Sequence, residues 1–256
     1  MRAILARSSK PYVAASGLSG HRRVGDDGRM HPGSPDDAPV TLARADTPAG
    51  EVALRSRGNV VELIVNGVFA MDSVETASEI ALADAAGRPP GRVLVGGLGL
   101  GYTASALLDN GATSVDVVDL AEPLLDWARA GVTERLGRVA SDPRVRLHAG
   151  DIAAWASPES APTRGGPWDA VLLDVDNGPG FLIHDANERV YSADALGAFA
   201  GRLAAGGVLV VWSESPSPPL WAALRTLDAA AEEILVPVER DGRRFDYALY
   251  RARRPA

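Results

Sequence analysis

The chain has 256 residues, 46% of them hydrophobic, 23% charged and 5% aromatic, which suits one large globular domain or a catalytic domain with a small appendage. It has no cysteine, which excludes disulfides, cysteine-ligated metal sites and thiol catalysis, and its one lysine, Lys10, rules out a Walker A phosphate loop. A formal net charge of −7 opposes nucleic-acid binding, which needs a basic face, and favours a cationic or neutral small substrate.

Residues 1–38 carry Gly, Pro, Ser, Asp and Arg without apolar periodicity, and are expected to form a disordered arm ending in His31-Pro-Gly-Ser-Pro-Asp-Asp37. Arg2, Arg7 and Lys10 lack the continuous apolar core of a secretory signal. From Val40 the pattern becomes strand-like, over 40–43, 51–55, 60–65 and 68–71, with turns at Pro48-Ala-Gly50, Gly58-Asn59 and Asn66-Gly67. Residues 39–88 thus form a small antiparallel β unit plus a helix over 73–86, capped by Asp72 or Ser73 and stopped at Gly87. Such a unit is too small to stand alone and should dock on the larger C-terminal region.

Residues 89–256 form a second domain in which strand and helix alternate. The spacing predicts strands over 93–95, 114–120, 145–148, 170–174 and 207–212, with helices over 102–110, 122–137 and 193–204. A final antiparallel pair covers 234–238 and 245–250. Apolar strands alternating with helices imply an α/β fold, a Rossmann-like doubly wound, mostly parallel sheet covered on both faces. The longest uncharged stretch, residues 93–108, contains four glycines and is shorter than the roughly 20 apolar residues of a membrane span. A soluble cytoplasmic protein is expected, with neither nucleic acid nor membrane as partner.

The strongest chemical signal is Gly96-Gly-Leu-Gly-Leu-Gly101 between a strand and its helix, with Asp119 at the end of the next strand. Gly96, Gly97, Gly99 and Gly101 allow a sharp turn and close approach of backbone to a ligand, and Asp119, followed by Leu120, is placed to accept from ribose hydroxyls. The third glycine of the dinucleotide fingerprint is replaced by Tyr102, which favours a mononucleoside over a nicotinamide dinucleotide. The bland alternative is a ligand-free glycine turn. On the same rim, Asp151 can accept from an adenine amino group while Ile152 packs on the ring; Asp151 equally suits a helix N-cap. Asp174-Val-Asp176-Asn177-Gly-Pro-Gly180 sets two carboxylates and an amide beside that pocket, able to bind and deprotonate an amine, though Asp and Asn also serve as ordinary turn formers. Glu214 adds charge to the rim. His184 has no second ligand at metal spacing, so no metal is expected.

These residues resemble the spermidine synthase (polyamine aminopropyltransferase) family. The likeness rests on Gly96-Gly-Leu-Gly-Leu-Gly101, Val115-Asp-Val-Val-Asp119, Asp142-Pro-Arg-Val145 through Gly150-Asp151, Trp168-Asp-Ala-Val-Leu-Leu-Asp174 and Gly206-Gly-Val-Leu-Val-Val, together with the preceding β unit, and it covers about residues 50–216. It implies binding of S-adenosylmethionine or its decarboxylated form, with Asp119 on the ribose and Asp151 at the adenine, in a homodimer or larger assembly. Three departures bear on function. The family's loop Asp, which holds the aminopropyl end, is here Gly99; its catalytic Asp falls on Asn177, or on Asp176 with one deletion; and its polyamine-binding Gln and Tyr-His fall on Ala70 and Ala77-Ser78, while Glu79 is kept.

The leading expectation is a transferase using S-adenosylmethionine to methylate an amine or similar small acceptor. Asp174 or Asp176 would be the base, and Glu79, Asp176, Asn177 and Glu214 would line the acceptor side. The alternatives are aminopropyl transfer from decarboxylated S-adenosylmethionine and a catalytically silent nucleoside-binding module.

Overall fold

The computed structural model describes residues 23–24, 30–31, 38–157, 167–176, 178–179, 182–183, 185–227, 229–240 and 242–256. Contacts divide the chain into Met1–Ala38 and Pro39–Ala256. In the first unit β1 (Arg23–Val24) pairs antiparallel with β2 (Met30–His31); the remainder of the predicted arm lies outside the described residues.

The second unit begins with β3 (Val40–Thr47), β4 (Gly50–Arg57), β5 (Val60–Val65) and β6 (Val68–Asp72), an antiparallel sheet in sequential order. All four predicted strands are present and most are longer than expected, since ladder pairing extends past the apolar residues. Helix α1 (Ala77–Ala85) starts four residues later than predicted. Asp72 does not cap it: Oδ1 accepts from the N–H groups of Val74 and Glu75 at 2.9 and 3.1 Å, closing a turn before the helix.

The alternating region gives β7 (Arg92–Gly96), α2 (Tyr102–Asp109), β8 (Ser114–Asp119), α3 (Glu122–Ala130), α4 (Glu134–Ser141) and β9 (Val145–Ala149). After a 3-10 turn at Ile152–Ala156 come β10 (Trp168–Leu173), a second 3-10 segment at Asp185–Tyr191, and α5 (Ala193–Gly201). The chain continues through β11 (Leu203–Ser213), α6 (Pro218–Arg225), β12 (Ala230–Arg240) and β13 (Arg243–Arg253). The seven strands order as β12-β13-β11-β10-β7-β8-β9, parallel from β11 to β9 and antiparallel at β13 and β12.

Two readings are corrected. The single helix expected over 122–137 is two, because Gly131 takes a left-handed conformation after α3 and the Thr133 hydroxyl accepts from the Leu136 N–H to begin α4. Helix α6 had no predicted counterpart. Ser217-Pro218-Pro219 resembles a loop, yet Ser217 caps the helix and proline is well tolerated in a first turn.

Alternate strand residues enter opposite cores, as a doubly covered sheet requires. Val93, Val95, Val115 and Val117 join Leu82, Leu107, Leu125 and Leu136 on one face. Leu94, Val171 and Leu173 join Leu196, Phe199 and Leu220 on the other. Val52, Leu54 and Leu63 of the antiparallel sheet belong to the first core, so the β unit buries its apolar face against the larger sheet rather than standing alone.

Candidate active site

A cavity of about 740 Å³ opens where the carboxyl ends of the parallel strands meet the antiparallel sheet. Gly97, Gly99, Asp119, Leu120, Asp151, Ile152, Asp174, Asp176, Glu79 and Glu214 all line it. Gly96 and Gly101 stand behind the lining. A side chain at Gly96 would strike Ile152, whereas Gly101 has room for one and is needed for its left-handed backbone, φ +82, at the start of α2. Asn177 lies outside the described residues.

The glycine turn is fixed from both sides. The Gly97 N–H donates to the Val118 carbonyl (2.8 Å) and the Asp174 N–H donates to the Gly96 carbonyl (2.9 Å). Gly97 has φ +96, and a Cβ there would stand 2.0 Å from the Asp174 carbonyl oxygen, so only glycine fits. At Gly99, φ +52, the space a Cβ would need is filled by the Met71 sulfur, which accepts from the Leu100 N–H at 3.3 Å. A neutral thioether of the β unit therefore stands against the position where a family aspartate was expected.

Asp119 is held by the N–H groups of Leu98 and Ala121, both at 2.8 Å, which aims its carboxylate along the rim beyond β8. Asp151 caps the following 3-10 turn by accepting from the Ala153 N–H at 2.9 Å, so the capping role is realised. Its other oxygen pairs with Arg189 of the Asp185–Tyr191 segment.

The carboxylates beyond β10 occupy unlike settings. Asp174 accepts from the buried Thr103 hydroxyl at 2.8 Å; burial raises its pKa to about 6, and the Thr103 bond offsets part of that rise. Asp176 sits at φ +51, a conformation Asp tolerates better than most residues, and accepts from the Asn187 amide at 2.9 Å. Across the cavity, burial and then the Asp174 charge lift Glu79 to about 7, partly opposed by the Ser78 hydroxyl, which donates to it at 2.7 Å. Burial also raises Glu214. Tyr191 donates to the Val175 carbonyl, and burial with the Asp176 and Asp174 charges raises its phenol.

Several groups that line or support the cavity were not anticipated from the sequence. Asn187 and Thr103 hold the two rim aspartates. Trp212 and Tyr247 meet at a tilt with ring centroids 5.0 Å apart, and Phe245 meets Tyr247 edge-on at 5.3 Å. Arg240 pairs with Asp72 at 2.5 Å and lies 4.6 Å over the Phe69 ring. The only available signal was Thr103, two residues after the glycine turn; the others come from distant segments that only the fold brings together.

Among the described lining residues, nine are acidic and Arg240 alone is basic. No group of three or more His, Asp or Glu among the described residues is disposed to hold a metal ion, and no described helix is long and apolar enough to cross a membrane.

The sheet order, the glycine turn at β7 and the acidic strand ends define a Rossmann-like, doubly wound fold. The chain has the fold of solved spermidine synthases. A crystal structure of spermidine synthase from Thermotoga maritima superposes with a TM-score of 0.64 at 13% identity, over 84% of this chain and 72% of that one. A spermidine synthase in complex with the transition-state analogue AdoDATO gives 0.68 at 15% identity, over 84% and 73%. No protein-family model matches the sequence, and no curated protein does.

Proposed function

We propose that the protein is a transferase that moves the aminopropyl group of decarboxylated S-adenosylmethionine to an amine. The observation carrying this reading is the charge of the cavity, nine acidic residues against one arginine that is itself paired with Asp72. A donor with a cationic sulfonium and a cationic tail suits that field, whereas the α-carboxylate of intact S-adenosylmethionine would enter it against that excess of acid. The solved spermidine synthase bound to AdoDATO supports the same choice by likeness of fold.

The site fits such a nucleoside in its own geometry. The Gly97 turn leaves room for close approach, Asp119 suits the ribose hydroxyls, and Ile152 with Leu120 offers apolar faces to the base. Asp151, released from Arg189, would accept from the adenine amino group. When bound, the sulfonium supplies an electrophilic carbon whose bond to sulfur breaks as the new C–N bond forms, the electron pair leaving with a neutral thioether.

The chain's own residues hold the amine and take its proton. Asp176, braced by Asn187, anchors the ammonium. Asp174, with a pKa near 6, accepts the proton that frees the nitrogen lone pair, and Glu79 shares that charge across the cavity. The remaining rate enhancement comes from orienting the nitrogen in line with the reacting carbon.

Methyl transfer is the second reading, favoured by Gly99 and Met71, which leave the loop without the aspartate expected there. Calorimetric titration with both forms of the nucleoside, followed by mass spectrometry of the amine product, decides between them. Tighter binding of the decarboxylated form and a product heavier by an aminopropyl group are expected. Exclusive binding of intact S-adenosylmethionine would overturn the aminopropyl reading.

A further inference from the structure

Helix α2 opens directly after Gly101, and its buried face consists of Thr103, Ala104 and Leu107. Thr103 is 3% exposed, and a buried hydroxyl requires a partner. That partner is Asp174, whose Oδ2 accepts from the Thr103 hydroxyl at 2.8 Å. The sheet brings the two together. Leu173 pairs with Gly96 in the parallel register of β10 and β7, so Asp174 lies beside the glycine turn, and its N–H donates to the Gly96 carbonyl at 2.9 Å. Asp174 is thus gripped at its main chain by β7 and at one carboxylate oxygen by α2. Among the described residues its Oδ1 accepts no hydrogen bond, and Asp174 lines the cavity.

A base needs an oxygen aimed at the proton it removes and a setting that leaves it ionised at the working pH. Thr103 contributes to both. Its bond to Oδ2 restrains the rotation of the carboxylate, and the same bond favours the ionised form against burial. The titratable groups around Asp174 do not do this. Glu79 from α1, Asp176 beyond β10 and Glu214 beyond β11 are acids on the same cavity, and Tyr191 is a phenol that the Asp174 charge raises further. Resting on the amine-transfer reading, we propose that Thr103 is the positioning residue of the base, holding Oδ2 of Asp174 so that Oδ1 receives the proton of the acceptor ammonium. The ammonium gives that proton to Oδ1 and the carboxylate becomes the acid. The nitrogen lone pair then forms the C–N bond as the C–S pair leaves with sulfur. Thr103 itself stands outside the lining and donates to Oδ2 throughout.

The test follows Asp174 in the full chain by two readouts. One is the NMR titration of its carboxyl with isotope-labelled aspartate, the signal being assigned by its loss in Asp174→Asn. The other is the pH profile of kcat/KM in the Glu79→Gln background, where a single acid step is expected. Thr103→Val keeps the shape of the side chain and removes the hydroxyl. It should raise the titration midpoint and the acid limb together by about one pH unit, and lower the plateau kcat about tenfold while KM for the amine stays within about twofold. Thr103→Ser should restore the midpoint, the limb and the plateau. An unmoved midpoint in Thr103→Val overturns the inference. So does a Thr103→Ser variant that behaves like Thr103→Val, since the methyl group rather than the hydroxyl would then matter. A change confined to KM also overturns it, because Thr103 would be acting on the substrate. If Thr103→Val fails to fold, Thr103→Ala reads the same midpoint. Absence of turnover with every amine would refute the transferase reading while the midpoint still reports whether Thr103 governs Asp174, and turnover with an unshifted midpoint would refute this inference alone.

Discussion

Replacing Gly97 by alanine tests the geometry on which the site depends. The new methyl carbon would stand 2.0 Å from the Asp174 carbonyl oxygen, in a backbone conformation at φ +96 that L residues avoid. The conformational part costs about 1–2 kcal/mol. Opening the contact to van der Waals distance requires the β7–α2 turn to part from the end of β10, an overpacking cost of about 1–3 kcal/mol. That movement also strains the Gly97–Val118 and Asp174–Gly96 hydrogen bonds, each worth about 1 kcal/mol net. The expected loss is about 3–5 kcal/mol, or a melting temperature lower by roughly 10 °C at the usual 2–4 °C per kcal/mol for a domain of this size. Gly206→Ala is the matched control, because Gly206 has φ +75 with nothing within 4 Å of the added carbon, so only the conformational cost remains. Thermal and urea unfolding of both variants beside the parent reads the difference. Melting temperatures for the two variants within about 3 °C of each other would refute the proposed contact between the glycine turn and Asp174.

Glu79, held near 7 by burial and by Asp174, keeps in the folded state a proton that the unfolded chain releases near 4.5, so it makes stability fall as pH rises between those values. Glu79→Gln should therefore gain about 2–3 kcal/mol on the parent between pH 4.5 and pH 8 in urea unfolding, and parallel pH profiles would contradict the assignment. The acid limb of kcat/KM should rise through about 6 to 7 as Asp174 and Glu79 lose their protons, and in Glu79→Gln only the step near 6 should remain. Asp174→Asn should lower kcat by about 100-fold, while Asp176→Asn, which keeps the left-handed turn, should chiefly raise KM for the amine, by about tenfold. Unchanged kinetics in both would remove the rim aspartates from the reaction. Gly99→Asp should destabilise the protein by about 1–3 kcal/mol because Met71 blocks the side chain, and Met71→Ala in the same chain should recover most of it; additive losses would show that the two residues do not compete for space.

The doubly wound sheet and most rim residues were legible because their signals are local. Apolar runs such as 93–95 and 170–173 alternate with helices, and Asp119 ends a strand, Asp174 follows one directly and Asp151 stands two residues beyond another. The break at Gly131 was missed because the apolar spacing of 125, 128, 132 and 136 continues across it. The wall facing the rim was not legible. Arg240, Tyr247 and Phe245 reach the cavity only because β13 runs antiparallel beside β11 and β12 folds back along it, a placement without any local pattern. Asn187 was hidden for a related reason, since the Asp185–Tyr191 segment is irregular and shows no period.

The cavity is bounded by residues from two different sheets. Asp119 and Asp174 are tied to the parallel strands and the glycine turn by backbone hydrogen bonds, whereas Val65, Val68 and Phe69 are side chains of the antiparallel ladder. Substitutions at Val65, Val68 and Phe69 can accordingly reshape what enters from that direction, whereas Met71 of the same sheet is tied to the glycine turn. Homologous folds could diversify their acceptors through the small sheet alone while inheriting the rim intact, and directed evolution of this chain toward new amines should start from those positions.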